Sequence, residues 1–263
     1  MPHRLLCVTA HPDDESGAFG GALLLAHQAG AETRVLCFTD GQAAHFRGEV
    51  AAGENLGRVR RAEMAAACAV LGVTGHEVLH FPDGALAQQS FQEMVGVVVD
   101  RIRRWRPHVV LTFGADGGVN LHRDHTTISA VATAAFHWAV RAEMFRHPTD
   151  QERSVGTPAG DPAAWQPHKL YLASTPFVSV RDHPELSGSP TVPWSLTLDL
   201  RELAERKAEA FSKHHTQQGV LMRVGKDRIR HMKFERYLLA AKRGVSAVTE
   251  DVSMLTGIPD DEG

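Results

Sequence analysis

Apolar runs of strand length alternate with runs of helix length through the first 140 residues, and this alternation limits the possible folds more than any other feature of the chain. Strands are predicted at 4–10, 34–39, 76–81 and 108–113. Helices are predicted between them at 18–28, 58–71 and 91–105. Strands separated by helices are typical of right-handed βαβ units, which build a parallel sheet with helices on both faces. An α/β fold is therefore expected.

The pattern changes after residue 142. Two segments rich in proline and glycine, 147–167 and 181–193, predict long loops. Short strands are predicted on either side of the second loop, at 169–174 and 195–198, and a helix follows from residue 200 to near 214. No linker clearly divides the chain, so we expect one domain over 1–263, in which 244–263 could be a loosely attached tail. The expected architecture is a Rossmann-like three-layer α/β sandwich with a mostly parallel sheet and long loops at its carboxyl edge.

The composition excludes several kinds of partner and of site. The chain has 28 basic and 31 acidic residues and a net charge of −3, which offers no electrostatic attraction to nucleic acid or to an anionic membrane. Its longest apolar run, at 21–26, is far shorter than the roughly 20 residues of a membrane span. Its three cysteines lie scattered in apolar settings, which is typical of reduced thiols in a cytoplasmic protein. A bound metal would therefore need histidine and carboxylate ligands.

Titratable side chains crowd the turn that follows the first predicted strand. This turn reads His11, Pro12, Asp13, Asp14 and Glu15. In an open parallel sheet, ligands bind in the crevice outside the carboxyl ends of the strands. Carboxylates and an imidazole in one such turn suit a divalent cation, and a catalytic zinc takes three ligands of these types beside an open position.

A dinucleotide site is the most obvious rival at this turn. Glycines at 17, 20 and 21 follow the first strand, and Asp40 ends the second strand, where a nucleotide fold places its ribose-binding acid. The G-x-G-x-x-G pattern is absent, however, and three carboxylates would face the pyrophosphate. A nucleotide site is therefore disfavoured.

A second cluster follows the fourth predicted strand, where His122, Asp124 and His125 open the next helix. A single histidine at such a position is more often a surface or helix-capping side chain. His11 and Asp14, three residues apart, could hold one ion from a single turn and would need a third ligand from another strand end. The two clusters lie on the same edge of the predicted sheet, and together they favour a metal site.

The two clusters resemble those of the PIG-L/LmbE-like metal-dependent N-deacetylases. The resemblance is carried by Ala-His-Pro-Asp-Asp-Glu at 10–15 and His-Arg-Asp-His at 122–125. Supporting matches lie at 39–41, in the helix 59–73, and at Lys207 with 214–217, so that most of the chain is covered. The family usually has proline where Arg123 stands and commonly arginine where His215 stands, which leaves the shape of the substrate rim open.

The resemblance implies that His11, Asp14 and His125 bind the metal. It implies further that Asp13 is the general base and that His122 stabilises the oxyanion or protonates the leaving amine. The residue types suit these roles, because a metal lowers the pKa of its water and a carboxylate beside it can take the proton. The cofactor expected is Zn²⁺, although ferrous iron or another divalent ion suits the same ligands.

Two further residues, Asp124 and Arg60, have two interpretations each, and three others have one. Asp124 could hold His122 in one tautomer and keep it charged, or it could be a helix N-cap. Arg60 resembles a substrate-contacting arginine of the family, but it could also lie on a solvated helix face. Asp40 and His214 are further candidates for substrate contact. Glu15, by contrast, could simply accept hydrogen bonds from backbone amides at the start of the next helix.

The function predicted from the sequence is hydrolytic removal of the N-acetyl group from an N-acetylglucosamine-type glycoside. The resemblance favours a thiol-pathway precursor such as N-acetylglucosaminyl malate of the bacillithiol type. The expected partner is thus a small N-acetylated amino sugar, and the enzyme is expected to be a cytoplasmic homo-oligomer. A non-haem iron oxygenase with the same two-histidine, one-carboxylate set is one alternative. A non-catalytic sugar-binding module on the same scaffold is another.

Overall fold

The computed structural model describes residues 1–118, 121–145, 163–173, 195–220, 232–244 and 251–259. Seven strands in this part form one sheet, in the order β3-β2-β1-β4-β5-β7-β6. The strands are β1 (Arg4–Thr9), β2 (Glu32–Cys37), β3 (Gly75–Val78), β4 (Val109–Phe113), β5 (Lys169–Ala173), β6 (Leu196–Asp199) and β7 (Phe234–Lys242). The helices are α1 (Asp14–Gly17), α2 (Gly20–Gln28), α3 (Glu54–Leu71), α4 (Phe91–Trp105), α5 (Arg123–Trp138) and α6 (Ala204–Ser212).

The helix ends follow from local chemistry. The Ser90 side chain accepts a hydrogen bond from the backbone N–H of Glu93 and so caps α4. Helix α3 ends at Gly72, whose φ of 73° lies in the left-handed region that glycine adopts without strain. Several predicted bounds were wrong. Helix α3 begins at Glu54 rather than at residue 58, α2 begins at Gly20 rather than at residue 18 and is preceded by the short α1, and β2 spans Glu32–Cys37 rather than 34–39.

The five strands from β3 to β5 pair in parallel, as the alternation of strands and helices predicts. Strands β1 and β4 are fully buried, because helices cover both faces of the sheet. Their carboxyl ends meet at one edge of the sheet, and β1 leads there directly into the turn 10–15 while β4 leads into 114–118. The mostly parallel α/β fold is thus confirmed, and it brings the two predicted clusters to one edge.

Strand β7 was missed by the sequence interpretation. It pairs antiparallel with both β5 and β6, so that β6 is the outermost strand on this side of the sheet. Its pattern is hard to recognise because Glu235, a charged residue, occupies a fully buried position. The Glu235 carboxylate accepts hydrogen bonds from Gly21 N–H (2.7 Å) and Ala22 N–H (2.9 Å) at the start of α2, and from the Lys207 ammonium (2.5 Å) and the Tyr237 hydroxyl (2.7 Å).

The contact between Glu235 and the start of α2 also argues against a dinucleotide site. In a nucleotide fold, the amide groups at the start of the helix after the first strand bind the pyrophosphate. Here the amide groups of Gly21 and Ala22 are already bound to Glu235. An internal carboxylate therefore already binds the amide groups at the start of α2, the first long helix after β1.

We expect Glu235→Ala to lower the free energy of unfolding by about 3–5 kcal/mol, because the Lys207 ammonium would remain buried without its counter-charge. Urea titration of the purified variant measures this loss. Glu77→Ala is the matched control, since Glu77 pairs with Arg101 where both side chains are partly exposed to solvent and such surface pairs contribute about 0–1 kcal/mol. Equal losses in the two variants would contradict the expectation.

The C-terminal part of the chain is packed where the structure describes it. Asp251 is buried and accepts hydrogen bonds from the Lys169 ammonium (2.8 Å) and the Tyr171 hydroxyl. Met254 and Ile258 belong to the main apolar core. Residues 251–259 are therefore not a loosely attached tail. The predicted loop 181–193 and most of the loop 147–167 lie outside the described residues.

In the part of the chain that the structure describes, every helix is too short or too polar to cross a lipid bilayer.

Candidate metal and catalytic site

Three of the predicted metal ligands meet at the carboxyl edge of the sheet. His11 and Asp14 follow β1, and His125 lies in the first turn of α5, which follows β4. His125 Nε2 is 3.3 Å from His11 Nδ1 and 3.2 Å from Asp14 Oδ1, and His11 Nδ1 is 3.6 Å from Asp14 Oδ2. All three residues are buried, between 3% and 8% exposed. The structure thus brings together residues that lie more than 100 positions apart.

The far side of each imidazole ring is already occupied. His125 Nδ1 donates to the carbonyl oxygen of Gly117 at 3.1 Å, and its ring stacks on Phe113 with the ring centres 3.9 Å apart. His11 Nε2 donates to Asp124 Oδ2 at 3.2 Å and is 3.1 Å from Asp83 Oδ1. In the neutral tautomers that these contacts select, His11 Nδ1 and His125 Nε2 turn their lone pairs toward each other. Two lone pairs at this distance require a cation or a proton between them.

The spacing of these atoms fits a divalent metal. Ligand atoms that lie about 2.0–2.1 Å from a tetrahedral zinc are roughly 3.3 Å from one another. His125 Nε2 has this separation from two neighbours, His11 Nδ1 at 3.3 Å and Asp14 Oδ1 at 3.2 Å, whereas the 3.6 Å contact of His11 Nδ1 is to the other carboxylate oxygen, Asp14 Oδ2. Among the described residues, the rings of His11, His122 and His125 also lie close enough to share an ion, as do His11, Asp83 and Asp124.

Electrostatics favour the charged form of the Asp14 carboxylate. Burial acts against it, but His125 and His11 together hold the pKa of Asp14 well below its ordinary value. Asp14 Oδ2 also accepts hydrogen bonds from the backbone N–H groups of Ala10 (3.1 Å) and His11 (2.7 Å). Burial likewise lowers the pKa of His11, but the carboxylates of Asp124, Asp14 and Asp83 outweigh it and raise the pKa well above its ordinary value. The site therefore attracts positive charge.

Asp13, the predicted general base, lies in the same turn with its side chain 17% exposed. Its backbone has φ 130°, a conformation that non-glycine residues rarely adopt. The guanidinium of Arg60 donates to Asp13 Oδ2 at 3.1 Å and to the carbonyl oxygens of Pro12 and Gly41. Burial raises the pKa of Asp13 to about 6, against the opposing charge of Arg60. A carboxyl group with such a pKa suits proton transfer near neutral pH.

His122 caps the start of α5. Its Nδ1 accepts a hydrogen bond from the backbone N–H of Asp124 at 3.2 Å, which places the proton of the neutral ring on Nε2. The ring lies beside the rings of His11 and His125, 4.8 and 5.2 Å from their centres. Burial, and then the charges of those two histidines, lower the pKa of His122 below its ordinary value. The lowered pKa favours an uncharged ring that donates through Nε2 over the protonated ring that the sequence interpretation assumed.

The expected pairing of Asp124 with His122 was wrong. The Asp124 carboxylate turns toward His11 instead, and it also accepts hydrogen bonds from the backbone N–H groups of Gly84 (2.7 Å) and Leu86 (3.1 Å). The alternative that Asp124 caps α5 was also wrong, since His122 is the cap. A carboxylate behind a ligating histidine fixes the tautomer of that ring and makes it a stronger ligand.

We expect Asp124→Asn to weaken metal binding by about 10–100-fold, because the amide no longer supports His11 as a charged acceptor. Titration of the metal-free protein against a chromophoric chelator measures the affinity. Asp116→Asn is the matched control, since Asp116 accepts a backbone hydrogen bond in the nearby turn and makes no contact with His11. An unchanged metal affinity for Asp124→Asn would contradict the role of this carboxylate in supporting His11 as a ligand.

Asp83 was missed by the sequence interpretation. It reaches the site from beyond β3 and bonds to His11 and to the backbone N–H of Ala43 (2.9 Å). The predicted strand 76–81 extends too far along the chain. The actual strand ends at Val78, and the chain then turns toward the site and brings Asp83 close to His11. The available signal was an aspartate just past a third parallel strand, within a Pro-Asp-Gly sequence that is also typical of an ordinary turn.

The three residues expected to contact substrate are all bound to other parts of the chain. Arg60 is 2% exposed and holds the Asp13 turn, so it does not lie on a solvated helix face. Asp40 is 6% exposed and pairs with Arg61, with His80 Nδ1 at 3.4 Å. His214 is fully buried and bonds to Glu15. Their contact with substrate stays a prediction.

The fold and the site together define the class of protein: a Rossmann-like α/β protein whose sheet edge carries a buried histidine–carboxylate group able to hold a divalent cation. Residues 6–136 match the family described as PIG-L: GlcNAc-PI de-N-acetylase. The 1D-myo-inositol 2-acetamido-2-deoxy-alpha-D-glucopyranoside deacetylase of Rhodococcus jostii is 31% identical, and the match covers 81% of each chain. This chain belongs to the PIG-L family of deacetylases.

Two further comparisons agree with this assignment. The mycothiol S-conjugate amidase of Streptomyces coelicolor is 29% identical, and the match covers 80% of this chain and 75% of that protein. The N,N'-diacetylchitobiose deacetylase of Pyrococcus horikoshii has a similar structure, with a TM-score of 0.65, 20% sequence identity, and coverage of 90% of this chain and 83% of the other. At that identity, the structural similarity shows the shared fold alone.

Proposed function

We propose that this protein is a zinc-dependent hydrolase that removes the N-acetyl group from an N-acetylglucosamine glycoside whose aglycone is inositol. The observation that carries the proposal is the position of Asp13. Its carboxylate, with a pKa of about 6, lies in the same turn as His11 and Asp14, two residues of the cluster that fits a metal. A base beside a metal site is what hydrolysis of an amide requires.

His11, Asp14 and His125 would hold the cation, which would supply Lewis-acid polarisation of the acetamide carbonyl and a lowered pKa for water. Asp13 takes the proton of the attacking water and then carries it to the departing amine. Arg60 keeps the Asp13 carboxylate in place through its hydrogen bond at 3.1 Å. Because the guanidinium is buried in this role, we assign it to the base rather than to a sugar hydroxyl.

His122 stabilises the negative charge that develops on the acetamide oxygen. Its Nε2–H is a donor, because Nδ1 is held by the backbone N–H of Asp124. A preorganised donor of this kind typically contributes about 10²–10³-fold to the rate. The low pKa of His122 keeps the ring neutral, so it acts through a hydrogen bond and does not compete with the cation for the negative charge of Asp14.

The relatives favour inositol over malate as the aglycone. The Rhodococcus jostii protein is named as a deacetylase of a 2-acetamido-2-deoxyglucoside of inositol. The expectation of a bacillithiol-type substrate, N-acetylglucosaminyl malate, is not confirmed by any of the comparisons. Cleavage of a mycothiol S-conjugate is a second candidate activity, since a protein named as an amidase of such conjugates matches over 80% of this chain.

A substrate panel tests the proposal. The zinc-loaded protein is incubated separately with N-acetylglucosaminyl inositol, N-acetylglucosaminyl malate and a mycothiol S-conjugate, and the free amine is assayed. We expect the highest kcat/KM on the inositol glycoside. Loading with ferrous iron under anaerobic conditions compares the two metals, and an oxygen electrode tests the oxygenase alternative. Confirmed metal binding without amine release from any of the three compounds would contradict hydrolysis.

A further inference from the structure

The turn 10–15 carries the proposed base, Asp13, and is called the base turn. Two buried residues that have no role in the proposed mechanism, Glu15 and His214, hold this turn in place. Glu15 is fully buried, and its Oε2 accepts the backbone N–H of Asp13 at 2.9 Å. Its Oε1 accepts from the Ser16 hydroxyl (2.6 Å) and from His214 Nε2 (2.7 Å). His214 is also fully buried and lies just beyond α6, 199 positions along the chain. His214, in the C-terminal half of the chain, is thus linked to the backbone N–H of Asp13 through the Glu15 carboxylate.

The backbone of Asp13 needs such support. Its φ of 130° is strained for a non-glycine residue and persists only where the surroundings impose it. Arg60 binds the carboxylate of Asp13 and the carbonyl oxygen of Pro12 on one side. Glu15 binds the N–H group of the same residue. The two contacts together determine how the turn presents its carboxylate.

The burial of Glu15 and His214 also has a cost in stability that a purely structural contact would not need to have. Burying a histidine and a carboxylate brings a desolvation penalty that their attraction only partly offsets. In addition, His214 Nδ1 has no hydrogen-bond partner among the described residues, although it is buried. An apolar pair of the same volume would avoid both costs. What the polar pair supplies in return is a fixed carboxylate for the Asp13 amide.

We propose that Glu15 and His214 are positioning residues for the reaction: His214 fixes the carboxylate of Glu15, and Glu15 fixes the strained backbone of Asp13, so that the base faces the attacking water. This inference rests on the proposed role of Asp13. It replaces the expected contact of His214 with substrate, because a fully buried ring bonded to Glu15 does not face the sugar.

His214→Ala and His214→Gln test the proposal as a pair. The alanine variant loses the contact with Glu15, and we expect kcat to fall about 100-fold, the cost of a catalytic group displaced by about 1 Å, with KM and metal content unchanged. Glutamine offers an amide N–H near the position of Nε2, so we expect it to restore most of the activity. Thr216→Val is the control, since it removes a buried hydrogen bond to Glu63 (2.6 Å) only two residues away without touching the base turn.

Hydrogen exchange supplies a measurement that does not depend on turnover. In the metal-free protein, the peptide that contains Asp13 is expected to take up deuterium faster in His214→Ala than in the wild type or in Thr216→Val, because the Asp13 amide loses its fixed acceptor. If the alanine variant does not fold, Glu15→Gln carries the same comparison, since it keeps the volume of the side chain and removes the charge that both partners share.

A double-mutant cycle separates this inference from the proposed function. If His214 acts through Asp13, adding His214→Ala to Asp13→Asn lowers the residual rate no further. An additive loss, a rise in KM at constant kcat, or a kcat within about threefold of the wild type would overturn the positioning role. Full activity of Asp13→Asn alone would instead overturn the role of Asp13 in the proposed function.

Discussion

Asp13→Asn lowers kcat for N-acetyl hydrolysis by about 10²–10⁴-fold, the contribution that a positioned general base typically makes. Asparagine keeps the size of the side chain and can still accept the hydrogen bond from Arg60. It cannot take a proton from water. The variant is expected to bind metal and substrate as the wild type does, because the proposed ligands are His11, Asp14 and His125. The measurement is steady-state kinetics with metal analysis on the same samples.

The same substitution is expected to leave the metal-free protein as stable as the wild type or more stable at neutral pH. The pKa of Asp13 is raised from 3.8 to about 6 in the folded protein, mainly by burial. A raised carboxyl pKa favours folding at low pH, and this contribution is lost as the pH rises from about 4 to 6. Asparagine does not titrate, so the stability of the variant does not fall in this way as the pH rises. Its advantage in melting temperature should therefore be present at pH 7.5 and absent at pH 4.

These two results together distinguish a catalytic role from a structural one. A lower melting temperature in Asp13→Asn at pH 7.5 would mean that the loss of activity comes from damage to the turn. Residual activity above a tenth of the wild-type kcat would assign the proton transfer to another group, and His122 would then be the next residue to replace, because it lies beside the same cluster.

Most of the parallel part of the sheet and most of the candidate metal cluster could be predicted from the sequence, because their signals are local. His11 and Asp14 lie three residues apart in one turn, and His125 lies in the helix after β4. Parallel strands bring their carboxyl ends to one edge, so the order of strands and helices was enough to place these residues together.

The parts that escaped prediction depend on contacts between distant segments. Glu235 lies in β7 but binds the start of α2, and nothing near it in the chain indicates that a buried strand position should carry a charge. The pair of Glu15 with His214 joins residues 199 positions apart. For Asp124, neighbouring residues suggested His122 as the partner, whereas the folded chain offers His11. Sequence proximity is a poor guide to side-chain partners where several strand ends converge.

Removal of the bound cation is expected to abolish activity, and His125→Ala is expected to prevent its recovery. In the metal-free protein His11 Nδ1 and His125 Nε2 face each other at 3.3 Å, and we expect added zinc to bind at this position in the wild type. In His125→Ala one ligand of three is gone, together with the ring that stacks on Phe113. We expect metal binding below detection at micromolar zinc and a rate at least about 10³-fold lower.

His137→Ala controls for the loss of a histidine from the same helix. His137 is exposed near the end of α5 and lies far from the strand ends, so its removal should change neither metal content nor rate. The decisive comparison is reconstitution: the chelated wild type and His137→Ala regain activity on titration with one equivalent of zinc, and His125→Ala does not. If His125→Ala regained the metal and the rate, the cation would have to lie on the other side of His11, between Asp83 and Asp124. The two carboxylates would then be ligands, and His125 would serve only to pack against Phe113.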